Sequence, residues 1–328
     1  MRGFLIFTVL FIFLSCASVP PAKDALSATA QDYPVRGNPF RGNPFRGNPA
    51  SFASLEDVEP EWQSFADGVG YFHGKIANPR LEFWVLQIDL RSPQTRVVVR
   101  AGAYDNSNSE SRSESPSKSS SNRSVLSTRV SSFVRDNGLA AGINAVPFNI
   151  SSAKERQPII NSGLVISGGE TLSPANPRYD AIVFYADGKA AVVRQSSVAS
   201  ADNIENAAGG FHHILVNGEP AQRTLNREGR HPRSAAGVSA NGDILYLLVI
   251  DGKRAGSIGG TEKETALLLL ALGSWNGINL DGGGSSAIAL RTGGRVTVVN
   301  KPVHGVIPGR ERAVAGCLGI DISPSTEK

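Results

Sequence analysis

Short apolar segments separated by turn dipeptides constrain the fold of this chain more than any other sequence feature. Glycine after Asp or Asn favours tight turns between antiparallel strands, because it adopts φ > 0 without steric cost. The runs around these turns are rich in β-branched and aromatic residues, which favour strands. The dipeptides are Asp187-Gly188, Asn217-Gly218, Asn241-Gly242 and Asp251-Gly252.

Two segments carry helical patterns. Residues 261–272 (TEKETALLLLAL) place Thr261 and Glu264 in capping-box spacing and stop at Gly273. Residues 125–137 predict a shorter amphipathic helix. The combined pattern predicts an α+β fold: a single domain of mixed, largely antiparallel sheets with two or three helices, over residues 62–322.

The stretch INLDGGGSSAIAL, residues 278–290, is the strongest candidate for a functional loop. It places Asp281 at a strand end, followed by three glycines and two serines. Consecutive amides in a glycine turn can line a concavity that binds anions. The loop therefore suits a phosphorylated or hydroxyl-rich ligand. The alternative is a tight hairpin whose Asp and Ser cap local amides.

The N-terminus predicts export. Residues 4–14 are apolar apart from Thr8 and are too short to span a bilayer, as expected for a signal peptide. The following Ser15-Cys16 resembles a bacterial lipobox, so residues 1–16 predict a lipoprotein signal with Cys16 as the lipidated residue. Ordinary cleavage after Ala17 or a nearby position is the alternative.

The segments outside the predicted core are low in complexity. Residues 17–61 contain tandem RGNPF-like repeats and predict a flexible tether. Residues 106–124 predict a serine-rich insertion, and residues 323–328 a short tail. Cys317 lies in an apolar run and is expected to be a small buried side chain.

Composition argues against one class of partner. The net charge of the 328-residue chain is +4, and its basic residues are scattered. There is no basic block with interleaved aromatic residues of the kind that binds nucleic acid, so none is predicted as a partner.

Several segments together resemble the phosphodiester glycosidase family, which includes the N-acetylglucosamine-1-phosphodiester α-N-acetylglucosaminidase "uncovering enzyme". The resemblance covers residues 81–322 and departs from the family pattern at residues 145–147 (AVP). Its motifs in chain order are GIN (142–144) with Phe148, HPRSAAG (231–237), Asp251-Gly252, the helix with Glu264, NLDGGGSS (279–286), Asn300 and RAVA (312–315).

The resemblance implies the roles of the site residues. Cleavage of a sugar–phosphate bond builds oxocarbenium character and needs a carboxylate, for which Asp281, Glu264 and Asp251 are the candidates. Arginine can hold the phosphate. The implied substrate-binding residues are Arg233, Arg312, His231, Asn144, Gly282, Gly283, Gly284, Ser285 and Ser286.

Each of these residues also has a structural interpretation. In this interpretation Glu264 caps a helix, Asp251 belongs to a turn and Asn144 caps a strand end. His231 is then a histidine at the surface. The two arginines are alternatively structural ion pairs. No residues have metal-ligand spacing, so no metal site or cofactor is predicted. A cation at Asp281 or Asp251 remains an alternative without support.

The resulting functional hypothesis is an envelope lipoprotein that hydrolyses a sugar-1-phosphodiester linkage in a glycan or glycoconjugate. Its predicted partners are a carbohydrate or glycan-phosphate substrate and, through the N-terminal lipid, a membrane. The first alternative is a lipoprotein that binds a phosphorylated glycan or exopolysaccharide without turnover. The second is a tethered envelope scaffold without a pocket.

Overall fold

The computed structural model describes residues 48–101, 124–149, 154–200, 203–305 and 307–322. The predicted signal peptide with Cys16, most of the RGNPF-like repeats of the tether, nearly all of the serine-rich insertion and the tail lie outside these residues. Within them, no helix is both long and apolar enough for a membrane span.

Two sheets face each other across the main hydrophobic core. Strands are numbered in chain order. The nine-stranded sheet contains β1 (Ala50–Phe52), β2 (Gln63–Ala66), β3 (Val69–Ile76), β4 (Leu81–Asp89), β15 (His212–Val216), β16 (Glu219–Pro220), β17 (Arg233–Val238), β18 (Ile244–Ile250) and β19 (Asn276–Asn279). The second sheet contains β5 (Arg96–Ala101), β7 (Ala141–Asn144), β20 (Ile288–Thr292), β21 (Arg295–Val298) and β24 (Gly316–Asp321).

Ten further strands complete the fold in smaller sheets. A third sheet with five strands packs on the same core and contains β10 (Val165–Ser167), β11 (Glu170–Ser173), β12 (Asp180–Tyr185), β13 (Ala190–Arg194) and β14 (Ile204–Gly209). The short strands are β6 (Val125–Leu126), β8 (Phe148–Asn149), β9 (Pro158–Asn161), β22 (Val303–His304) and β23 (Ile307–Pro308).

Each of the two α-helices in the described residues covers the outer face of one sheet. Helix α1 (Val130–Asp136) buries Val130, Phe133 and Val134 against the second sheet. Helix α2 (Glu262–Ala271) buries Leu268 and Leu269 against the nine-stranded sheet. Three short 3-10 helices span Gln195–Ser200, Gln222–Thr224 and Gly283–Ser285.

The predicted α+β class is wrong. The described part of the chain is mostly β, with 47% of its residues in strands and 11% in helices, and it contains two α-helices. One physical reason lies at the first predicted helix. Val125 and Leu126 pair with Ile159 and Pro158 of β9, so only the second half of residues 125–137 is left to form a helix.

Three of the four turn dipeptides and the helix cap are confirmed, whereas Asp251-Gly252 follows the last strand before α2 and joins no strand pair. The dipeptides at 187–188, 217–218 and 241–242 connect antiparallel pairs. The capping box of α2 is present in both directions, and Cys317 is buried as a free thiol.

Residues before the predicted boundary at residue 62 already belong to the fold. Strand β1 pairs in parallel with β3, and the side chain of Val58 is buried. Part of the predicted tether therefore packs on the domain.

Candidate active site

The loop after β19 is fixed by backbone contacts with two distant segments. The amide of Asp281 donates to the carbonyl of Ala145 over 2.9 Å, and the amide of Gly283 donates to that of Pro232 over 2.8 Å. Gly283 has φ +62°, a conformation that glycine adopts without strain. A Cβ on Gly284 would lie 2.6 Å from Nη2 of Arg312. The glycines thus allow the backbone of Pro232 and the guanidinium of Arg312 to lie close to the loop.

Asn144 connects this loop to the sheets. It is fully buried at the end of β7, and its Nδ2 donates to the carbonyl of Asp281 over 2.6 Å. Its Oδ1 accepts from Ser234 Oγ at 2.7 Å and from the amide of Ala287 at 3.2 Å. With both ends of the amide occupied, Asn144 is suited to positioning the loop.

Asp281 lies in the environment expected of an acid–base group. It keeps part of its surface open to solvent, but the surrounding protein strips water from the carboxyl and raises its pKa to about 6. A hydrogen bond from Ser285, the charge of Arg312 and the amide of Gly282 limit the rise. A carboxyl with this pKa exchanges a proton readily near neutral pH.

Arg312 is the arginine available to an anion. Its Nη1 donates to Ser285 Oγ over 3.3 Å, and its Nε donates to His304 Nδ1 over 3.2 Å. Among the described residues, no carboxylate lies within 4.0 Å of its guanidinium. Ser285 thus stands between a proton-exchanging carboxyl and a half-buried cation.

Arg233 is held by the protein itself. Its Nε donates to the carbonyl of Gly260 over 2.9 Å and its Nη2 to that of Gly229 over 2.8 Å. Nη1 lies 3.7 Å from Glu262 Oε1. Burial lowers the pKa of Arg233, and the charge of Glu262 opposes this effect. These contacts favour the structural interpretation of this arginine.

Glu262, which the sequence analysis did not identify, is the centre of a buried charged cluster. Its Oε2 lies 2.7 Å from His212 Nε2, and its Oε1 lies 3.1 Å from Arg227 Nη1. Helix α2 begins at Glu262, so the carboxylate also sits at a positive helix end. Its position directly after the capping residue Thr261 was the sequence feature that could have identified Glu262.

Glu264 is occupied as a helix cap. Its Oε2 accepts from the amide of Thr261 at 2.9 Å and from Arg230 Nη1 at 2.8 Å, and its Oε1 accepts from Arg230 Nη2 at 2.6 Å. The bidentate pair and the cap leave little of the carboxylate for a substrate, which favours a structural role.

Asp251 is likewise surrounded by donors. It is 1% exposed, and Arg254 donates to its Oδ2 through Nε at 3.0 Å and Nη2 at 2.6 Å. Asn300 Nδ2 donates to its Oδ1 over 2.9 Å and also to the carbonyl of Ser286 over 3.1 Å. Burial raises the pKa of Asp251, whereas these hydrogen bonds oppose the rise. Asp251 thereby holds the loop after β19 in place through Asn300.

The remaining candidates lie at the same place in the fold. His231 is exposed, and its backbone bridges to Gly260. Partial burial lowers the pKa of His231, and the positive charges of Arg233 and Lys253 lower it further. Ser286 Oγ is buried without a hydrogen-bond partner among the described residues. In the same residues, no group of three or more His, Cys, Asp and Glu side chains is placed to hold a metal ion.

The motifs from distant parts of the sequence therefore meet at one end of the nine-stranded sheet. The GIN, HPR, Asp251-Gly252 and LDGGGSS segments and the segment around Arg312 are joined by direct contacts. His304, which contacts Arg312, was not predicted from the sequence, because its position depends on the pairing of β22 with β23.

One curated protein is similar to part of this chain. The SPbeta prophage-derived uncharacterized protein YomE of Bacillus subtilis (strain 168) is 36% identical over 91 residues, which are 28% of this chain and 13% of that protein. The chain thus spans a small part of this curated relative's length.

Two solved structures share the fold. The zebrafish N-acetylglucosamine-1-phosphodiester alpha-N-acetylglucosaminidase catalytic domain, auto-inhibited by its pro-peptide, has a TM-score of 0.56 at 19% identity, covering 82% of this chain and 86% of that one. A hypothetical protein from Synechocystis has a TM-score of 0.55 at 14% identity, covering 81% of this chain and 64% of that one. At these identities the likeness concerns the fold alone.

Residues 137–321, more than half of the chain, match the sequence model of one family, and they contain Asn144, Asp281, Ser285 and Arg312. The chain belongs to the phosphodiester glycosidase family.

Proposed function

We propose that this protein hydrolyses a sugar-1-phosphodiester linkage in a glycan or glycoconjugate of the cell envelope. The observation that carries the proposal is the Asp281–Ser285–Arg312 arrangement. It combines a carboxyl whose pKa is about 6 with a guanidinium that has no carboxylate partner among the described residues. A glycosyl phosphodiester carries a negatively charged phosphate, which a guanidinium can bind, and a leaving oxygen, which a carboxyl can protonate.

Arg312 would hold the phosphate. A phosphodiester carries one negative charge, and guanidinium hydrogen bonds to phosphate are stronger than neutral ones. The amide-lined turn at Gly282, Gly283 and Gly284 adds donors beside it. Phosphate bound here would lie against Ser285 and within reach of the carboxyl of Asp281.

Asp281 would carry the proton transfer. In its acid form it can protonate the phosphate oxygen that leaves the anomeric carbon, and in its ionised form it can activate water or attack. Both forms are populated near pH 6 because the pKa is about 6. The stereochemical outcome depends on where a second carboxylate or a water stands in the complex.

The cellular location is a second part of the proposal. Its support is the sequence of residues 1–16, whose apolar run ends at Ser15-Cys16, followed by the repeats of the tether. Together they are typical of a lipoprotein held at a distance from a membrane.

The function is tested by incubating the purified protein with a panel of sugar-1-phosphate diesters and following free sugar by NMR. We expect release from at least one diester. Arg312→Ala should weaken recognition by about 2–5 kcal/mol, the cost of removing one partner of a desolvated charge pair. Arg312→Lys should restore little, because an ammonium lacks the planar fork.

A matched control separates site effects from loss of charge. Arg295 is an exposed arginine of β21, and Arg295→Ala should leave turnover unchanged. Binding of a diester without release of sugar would instead support the alternative function, a protein that binds a phosphorylated glycan without turnover.

A further inference from the structure

His304 accepts a hydrogen bond from the phosphate-binding arginine. It is half-buried in β22, and the hairpin of β22 and β23 places it beside the Gly283–Ser285 turn. Arg312 Nε lies 3.2 Å from His304 Nδ1. An arginine Nε–H only donates, so Nδ1 of His304 must carry a lone pair and its proton must reside on Nε2. The contact therefore selects one neutral tautomer of the imidazole.

This contact determines which face of the guanidinium remains for a ligand. Arginine binds phosphate either side-on, through Nε and one Nη, or end-on, through both Nη groups. His304 already occupies Nε, and Ser285 Oγ accepts from Nη1 at 3.3 Å. The N–H groups still free to donate among the described residues are on Nη1 and Nη2.

We infer that His304 is a positioning residue that fixes Arg312 so that a phosphate is bound end-on by its Nη groups, next to Asp281. This inference rests on the proposed function and identifies a residue that acts through Arg312. The electrostatic environment agrees with a neutral imidazole. Burial lowers the pKa of His304, and the positive charges of Arg312 and Arg310 lower it further.

Two substitutions at His304 separate positioning from packing. His304→Asn keeps an acceptor oxygen near the place of Nδ1, whereas His304→Phe fills the space without an acceptor. Loss of a hydrogen bond to a charged group should raise KM, and Kd for the non-hydrolysed probe dimethyl phosphate, about 10- to 100-fold in His304→Phe. The value of kcat should change much less, because the phenylalanine leaves Asp281 in place.

The control is Arg310→Gln, which removes an exposed charge near His304 but keeps the backbone bridge to Val303. We expect its KM and Kd to stay within about 3-fold of wild type, since exposed charges are strongly screened. Restoration of KM by His304→Asn supports positioning. Equal defects in both His304 variants, or a loss confined to kcat, would overturn it.

A spectroscopic measurement tests the same inference without turnover. The ¹⁵N shifts of the His304 ring at pH 7 should report protonation at Nε2 and a lone pair at Nδ1. A ring protonated at Nδ1 would refute the contact with Arg312. If no diester in the panel is hydrolysed, the proposed function fails, while the ring shifts and dimethyl phosphate binding still decide the role of His304.

Discussion

Replacing Asp281 by asparagine should make the protein more stable and less active at the same time. The pKa of Asp281 is raised from 3.8 to about 6, so the folded state binds a proton that the unfolded state has already released between these values. The free energy of unfolding therefore falls as pH rises through this window. At about 1.4 kcal/mol for each pKa unit, the ionised carboxylate costs about 3 kcal/mol at pH 8.

Asp281→Asn removes this cost because the amide is never charged. Its oxygen can still accept from Ser285, and the hydrogen bond to the ionised form is already included in the raised pKa. The gain at pH 8 is therefore about 3 kcal/mol, or about 6–12 °C in Tm for a domain of this size. The gain should shrink to less than about 1 kcal/mol near pH 4, because the folded-state carboxyl is then protonated and the unfolded one about half so.

The assay is denaturant unfolding of both proteins from pH 4 to pH 8, paired with kcat on the best diester. Turnover should fall about 10²–10⁴-fold, the range of general acid–base catalysis. Asp187→Asn, at an exposed turn aspartate, is the control and should show no such pH-dependent gain. A variant no more stable than wild type at pH 8 would mean that the carboxyl is well solvated. Near-normal kcat would remove Asp281 from the chemistry.

Four further outcomes are expected. Glu264→Ala should lower the free energy of unfolding by about 1–2 kcal/mol, measured by denaturant unfolding, through loss of the cap and its arginine pair, with kcat nearly intact. Asp251→Asn should lower stability and kcat together, because the new amide N–H groups would face the N–H donors of Arg254 and Asn300 and loosen the loop; a loss of kcat without loss of stability would argue for a direct catalytic role. Deletion of residues 17–47 should leave Tm unchanged, whereas removing residues 50–61 should lower it, because β1 pairs with β3. Cys16→Ser should release the protein from membranes, and mass spectrometry of the wild type should find Cys16 at the mature N-terminus.

Some features of the fold and of the candidate site could be predicted because they depend on residues close together in the sequence. The capping box at Thr261 and Glu264 needs only residues three apart, and the Asn-Gly and Asp-Gly turns need only their own backbone preferences. The catalytic candidate Asp281 stands out for the same reason, because a carboxylate before three glycines is unusual by itself.

Strands without a strong local pattern were missed. The central strand β14 (IENAAG) carries mostly small residues, yet it pairs with both β10 and β12. In β3, Gly74 weakens the strand pattern, but a Cβ there would lie 2.4 Å from the ring of Phe83. Partners elsewhere in the chain decide both cases, which is why the mostly β class was not foreseen.

The sequence by itself thus determined the family, the turns, the long helix and the loop around Asp281. Only the tertiary structure shows which partners each charged residue contacts. Asn144 reaches Asp281 across 137 positions of sequence, and the pKa of that carboxyl depends on water excluded by segments brought together in folding. Likewise, both arginines were predicted to bind phosphate, but the donors of Arg233 contact backbone carbonyls, whereas the side-chain contacts of Arg312 are with His304 and Ser285. Desolvation and long-range hydrogen bonds arise from three-dimensional proximity, and a linear sequence does not contain that information in its local patterns.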